Sequence, residues 1–186
     1  QSSAKTRLIP FEFSTTQTYI MEFGNNYIRF FKDNGIITTA DVNISAITKA
    51  SPGVVTTSAS HNLTAGDYVI IQNVVGMTEL NGRQFKVGTV PSATTFQLKD
   101  MEGNNFSTSG LTTYASAGIV AEIYEVATTY STADLFEIKY AQSADIMYFV
   151  HPSYPIKKLS RTGHTSWTLA DVDIFSGPSD DISGVT

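Results

Sequence analysis

The residues best equipped to move a proton or hold a metal are three histidines, and their spacing argues against both tasks. His151 has Asp145 and Ser153 nearby, the residue types of a hydrolytic triad. No Gly-x-Ser-x-Gly elbow accompanies them, and an Asp and a His six positions apart on one strand cannot converge on a serine by themselves. His151 therefore reads as a strand-end histidine hydrogen-bonded near a turn. His61, His151 and His164 are scattered and form no His-Glu-x-x-His pair, so no zinc site is expected. Asp171, Asp173, Asp180 and Asp181 offer oxygen ligands for a hard cation, with Asp171 and Asp173 on one face of a strand. They lack a calcium-loop pattern and read as solvated acids. Glu12, Glu22, Glu79 and Glu102 are not placed to form the paired carboxylates of a glycosidase.

Binding chemistry is equally sparse. Lys157, Lys158 and Arg161, beside Tyr154 and Trp167, could touch phosphates and stack bases. Three cations on a chain of formal charge −5 attract nucleic acid weakly, and the cluster reads as a solvated strand edge. Tyr130, Tyr148, Tyr154 and Trp167 could make a sugar platform, but such rings are more often core. No Gly-x-x-x-x-Gly-Lys phosphate loop is present. We expect no catalytic, cofactor-binding or metal-binding residue, and no enzyme.

The elements that would carry these residues are strands. The chain has 186 residues, 41% of them hydrophobic and only 16% charged, a composition that supplies a core. No window approaches the ~18 apolar residues of a membrane span, and the start lacks a signal-peptide apolar region. The absence of cysteine leaves stability to packing and strand pairing.

Leu8 to Phe13, Tyr19 to Phe23 and Tyr27 to Lys32 read as a meander, with turns at Gly24-Asn25-Asn26 and Asn34-Gly35. In its third strand Tyr27, Arg29 and Phe31 alternate with Ile28, Phe30 and Lys32, which predicts a sheet packed on both faces. Between about Ile47 and Ala121 short runs separated by Gly66-Asp67, Asn81-Gly82, Pro91-Ser92 and Glu102-Gly103-Asn104 predict a small barrel, with a type I′ turn at Asn81-Gly82. A strand then resumes from Ile119 to Val126 with Ile119, Ala121 and Ile123 inward, and a short helix begins at Ser131 or Thr132 with Leu135, Phe136 and Ile138 on its apolar face. Strands at Ile146–Val150, around Lys157 and at Ser166–Leu169 follow. The run ends at Gly177-Pro-Ser-Asp-Asp without a closing element and reads as a fragment of something longer.

Two long stretches carry a resemblance. The run from Arg7 to Phe31, with Tyr140 to Pro155 and Lys158 to Leu169, resembles the start of a class of tailed-bacteriophage virion proteins, the tail tube or nozzle proteins of short-tailed phages. The resemblance implies that the C-terminal part is one blade of a β-propeller-like platform. The middle, with Ser60-His-Asn-Leu-Thr-Ala-Gly-Asp-Tyr-Val and Leu80-Asn-Gly-Arg-Gln-Phe-Lys-Val, resembles the small barrel first described in ubiquitin-activating enzymes, and matches none of their catalytic motifs.

The sequence thus predicts an all-β protein: a discontinuous, propeller-blade-like β domain from residues 1–45 and 122–186, interrupted by a small β-barrel at 46–121. The expected function is structural, a virion component of the phage tail. Its expected partners are copies of itself and neighbouring tail proteins, with no membrane, and with nucleic acid only as DNA passing through a tail lumen. The alternative is a receptor- or carbohydrate-binding tail module, its loops at Gly76-Met-Thr-Glu and Glu102-Gly-Asn-Asn touching a host surface glycan.

Overall fold

In the first two strands every second side chain is large and apolar, and that period fixes which face is buried. The computed structural model describes residues 5–14 and 17–173. β1 (Arg7–Ser14), β2 (Gln17–Gly24) and β3 (Tyr27–Lys32) form an antiparallel meander, extended by β4 (Gly35–Ile36) and later by β11 (Glu125–Ala127). Ile9, Phe11, Tyr19, Met21, Phe23, Ile28 and Phe30 all point to one side and are fully buried.

That side meets a second antiparallel sheet made of β12 (Lys139–Ser143), β13 (Ile146–His151), β14 (Tyr154–Gly163) and β15 (Ser166–Asp171). Met147, Phe149, Leu159 and Trp167 are its contribution to the shared core. Trp167 is central: its ring stacks on Phe30 at 4.3 Å and meets Phe11 and Tyr19 edge-on at 4.8 and 5.3 Å. Two sheets facing one another over an aromatic core make a sandwich.

Its outer faces are uncovered over much of their area. Leu8 is 64% exposed, Ile20 also shows to solvent, and Val150 is 44% exposed on the opposite side. The sheet expected to be packed on both faces is so only along β3, near Tyr27, Arg29 and Phe31.

Between β4 and β11 the chain builds a closed six-stranded barrel from β5 (Val42–Ile47), β6 (Val54–Thr57), β7 (Tyr68–Val75), β8 (Arg83–Val87), β9 (Thr95–Lys99) and β10 (Ser116–Glu122), in the order β10-β5-β6-β9-β8-β7. Every barrel strand is paired on both sides. Val55, Val69, Ile71, Phe85, Phe96, Leu98 and Val120 fill its core. Thr108 locks the barrel: its hydroxyl donates to the Thr48 carbonyl at 2.6 Å and accepts from the Ala50 amide at 3.2 Å.

Several local expectations are corrected. Val120, not Ile119, fills the barrel, while Ala121 and Ile123 are buried on the other side, outside that core. Both faces of β10 are covered, so alternation alone could not name the inner one. Asn81 has φ −64° and ψ 129° before Gly82 at φ +75°, the signature of a type II turn rather than I′. The Asn81 amide explains the choice, since it accepts from Val74 N at 2.8 Å and donates to Val74 O at 3.0 Å. The β3–β4 turn places its positive φ values on Asp33 and Asn34.

The expected helix at Ser131 is instead a run of turns. Asp134 N bonds Ser131 O and Glu137 N bonds Asp134 O, each spanning three residues. From β1 the Arg7 guanidinium donates to the Leu135 and Ile138 carbonyls, both at 2.7 Å. Leu135 and Ile138 are buried, whereas Phe136 faces out. The turn at Gly177, together with Asp180 and Asp181, lies outside the described residues. Among the described residues no helix is long and apolar enough to cross a membrane.

Candidate functional site: the seam and the histidine turn

Arg29 is a cation in the middle of an aromatic strand, and a buried cation demands a partner. It is 5% exposed, and its guanidinium bonds Glu125 through both Nε and Nη2. The strand register puts Glu22 and Glu125 on either side of it. The rings of Tyr27 and Tyr68 lie 4.5 and 4.6 Å from the guanidinium carbon. Tyr68 opens β7, so this clamp joins the sheet to the barrel.

Beside it runs a neck where Thr39 N bonds Glu122 O, Tyr124 N bonds Ile37 O and Ile123 N bonds Tyr68 O. A cleft of about 460 Å³ opens here, lined by Tyr27, Asp67, Tyr68, Glu122 and Glu125. Burial pushes the Glu122 carboxyl up, assisted by the charges of Asp67 and Glu125. Burial, then Glu22, pushes the Tyr27 phenol up. General acid–base work needs two free groups facing one bound molecule. Glu125 is taken by Arg29, Asp67 accepts from the Thr64 amide and hydroxyl, and Glu22 and Glu122 line different clefts. The seam is built to hold.

The second polar centre surrounds His151, which is 4% exposed. Its Nδ1 accepts from Ser153 N at 3.1 Å, and its Nε2 faces Glu137 Oε2 at 3.6 Å and Asp134 Oδ1 at 3.9 Å without a hydrogen-bond partner. The other carboxylate oxygen, Asp134 Oδ2, accepts from Ser131 N, Ser131 Oγ and Tyr154 Oη at 2.8, 2.8 and 2.9 Å. Those bonds, led by the Ser131 hydroxyl, hold the Asp134 carboxyl below the usual carboxylate range. Burial, and then the Asp171 charge, pushes the neighbouring Tyr130 phenol up to about 12. Asp145 stands at the far end of β13, and Ser153 contributes its backbone amide to His151, so the triad residues are not assembled for attack.

The remaining histidines are apart from this one and from each other. His61 Nδ1 accepts from Leu63 N within the barrel, and His164 Nδ1 meets Tyr19 Oη at 2.8 Å. No cluster of three metal-ligating side chains occurs among the described residues. The basic cluster is also dispersed: Lys157 pairs with Asp171 at 2.5 Å, and Arg161 Nη2 donates to Tyr19 Oη at 2.9 Å. Tyr130 and Trp167 are core, so the four rings do not form one exposed platform. At the barrel loops, Glu79 accepts from the Thr112 amide and hydroxyl, and Asp100 accepts from the Glu102 and Asn104 amides.

A barrel with both loops tied down by its own carboxylates is a self-contained module, and residues 50–123 answer to a known one. The match is to the ubiquitin-activating enzyme E1 FCCH domain. It spans β6 to β10 and stops at the neck. Over 82 residues the chain is 39% identical to ubiquitin-like modifier-activating enzyme 1 of Oryctolagus cuniculus and 38% identical to that of Homo sapiens. Those alignments cover 43% of this chain and 7% of either relative. The FCCH-like barrel is thus a small part of those proteins and less than half of this one.

Sequence reasoning found His151 as a strand-end histidine bonded near a turn, but missed the Arg29 clamp and the two carboxylates that face the His151 ring. Arg29 between Ile28 and Phe30 was the available signal for the first, but Glu125 lies 96 positions away. For the second, the Ser131-to-Asp134 spacing was visible and was read as a helix cap.

Proposed function

We propose that this chain is a structural component of a bacteriophage tail, working through contacts between β domains rather than through catalysis. The observation that carries the reading is a sandwich in which Arg29, Asp134 and Lys157 are engaged in internal contacts while both outer sheet faces carry exposed apolar side chains, Leu8 and Ile20 on one and Val150 on the other. The resemblance borne by Arg7–Phe31, Tyr140–Pro155 and Lys158–Leu169 supports the tail assignment, and a four-stranded antiparallel C-terminal sheet is the architecture expected of a propeller blade. The FCCH-like barrel rides on the sheet as a peripheral decoration suited to touching a neighbour. The match lends no support to the activity named for its relatives, because it covers 7% of those proteins.

Light scattering and electron microscopy of the protein test this reading. Multi-copy rings or stacks are the expected result. A monomer that binds host polysaccharide saturably would replace the reading with an adhesin, and release of reducing sugar abolished by one Glu substitution would make it an enzyme.

A further inference from the structure

We propose that this chain associates head to tail with a second copy of itself, the outer face of its first sheet packing on the outer face of its last. The inference rests on the assembly reading above and names the surfaces that would carry it.

On the first sheet the strand period turns Leu8, Pro10 and Glu12 of β1 outward, beside Ile20 and Glu22 of β2, with Pro10 opposite Ile20 and Leu8 opposite Glu22. On the last sheet Lys139, Ala141, Tyr148, Val150 and Lys158 point outward, with Lys139 opposite Val150 and Tyr148 between Ala141 and Lys158. Each face is thus an apolar patch edged by charge of one sign. Arg29 shares the first face but is neutralised by Glu125, which leaves Glu12 and Glu22. Among the described residues none of Glu12, Glu22, Lys139 and Lys158 makes an ion pair.

Charge selects the pairing. First face on first face sets Glu against Glu, and last on last sets Lys against Lys; only the mixed contact is complementary. The two faces lie on opposite sides of one sandwich, so the mixed contact is heterologous and propagates into a ring or a filament instead of closing as a dimer.

We place the contact on the faces because side chains already occupy one backbone position on each of two edge strands, β1 and β15. The Gln142 side-chain amide accepts from Glu12 N and donates to Glu12 O, as a neighbouring strand would. Tyr124 Oη does the same for Trp167 N and O on β15. The barrel stands over the Phe31 end of the first face, leaving the β1–β2 half for the neighbour.

Sedimentation velocity over a concentration series tests the proposal with four samples: the unaltered chain, E12K/E22K, K139E/K158E, and an equimolar mixture of the two variants. Circular dichroism confirms folding, and Leu8→Lys reverses the first face away from Arg29 should E22K disturb it. The unaltered chain is expected to exceed two chain masses of 20.2 kDa as concentration rises. Each variant alone should need at least about tenfold more protein to associate, and the mixture should regain association, since each then offers what the other lacks. Association untouched by either reversal, or not regained on mixing, would overturn the assignment of these faces while leaving assembly itself standing. A single 20.2 kDa species at every concentration would remove both.

Discussion

The barrel and the sandwich solve the same problem in opposite ways. The barrel closes on itself, so every strand has two neighbours, and its core is mostly aliphatic with Phe85 and Phe96. The sandwich leaves sheet edges and outer faces open and concentrates its rings, with Phe11, Tyr19, Phe23, Phe30, Phe149 and Trp167 in one core. A closed barrel can be carried from protein to protein as a unit, and residues 50–123 of this chain match the E1 FCCH domain. An open sandwich is completed by what covers it. The difference locates the portable fold in the barrel and the proposed assembly function in the sandwich.

The sharpest way to break this comparison is to empty one core and watch the other. Trp167→Ala removes the ring shared by Phe30, Phe11 and Tyr19 and should cost ~3–5 kcal/mol. Amide hydrogen exchange should then show the sandwich opening while β7 and β10 keep their protection. Phe96→Ala should do the reverse, with the fluorescence of the single tryptophan still native.

Next in size is the clamp that couples the two regions. Arg29→Ala strands Glu125 and separates the Tyr27 and Tyr68 rings, and because Glu125 keeps 26% of its side chain in water the loss should be ~2–3 kcal/mol. Its signature is faster exchange at Thr39, Ile123 and Tyr124, the neck amides. Equal acceleration of exchange everywhere, or no change at the neck, would mean that the clamp couples nothing.

A smaller effect belongs to the barrel alone. Thr108→Val leaves the Thr48 carbonyl and Ala50 amide without the buried hydroxyl, for ~1–3 kcal/mol in denaturant unfolding. Trp167 fluorescence should report none of it.

The smallest prediction separates the regions by pH. The depressed Asp134 carboxyl stabilises the sandwich fully above the ordinary carboxylate range and stops doing so as pH falls through its lowered pKa. Asp134→Asn should flatten that acid loss. Glu122 at the seam runs the other way: its raised carboxyl favours the folded state at low pH, and the benefit fades as pH rises through its folded pKa. Glu122→Gln should raise the neutral-pH melting temperature toward the acid value. Thermal melts between pH 3 and 7 check both signs.

What could be read from the residues follows from how local the cause is. β1 to β3 were legible because their apolar period is two and Asn and Gly mark the turns; the barrel runs were legible for the same reason. The inner face of β10 was not, since Ile119, Ala121 and Ile123 are as apolar as Val120 and only the fold says which side is the barrel. The Ser131 turns were misread because what caps them is Arg7, across 128 positions. The Arg29 clamp and the Asp134 and Glu137 carboxylates facing His151 required partners that no local pattern supplies.

The most direct test of the proposed assembly role is to search density maps of phage tails for this polypeptide. The account predicts several copies around the tail axis, sandwich against sandwich, with the FCCH-like barrel at the periphery. A particle lacking the chain, or holding it as a lone copy with both outer faces in solvent, would contradict it.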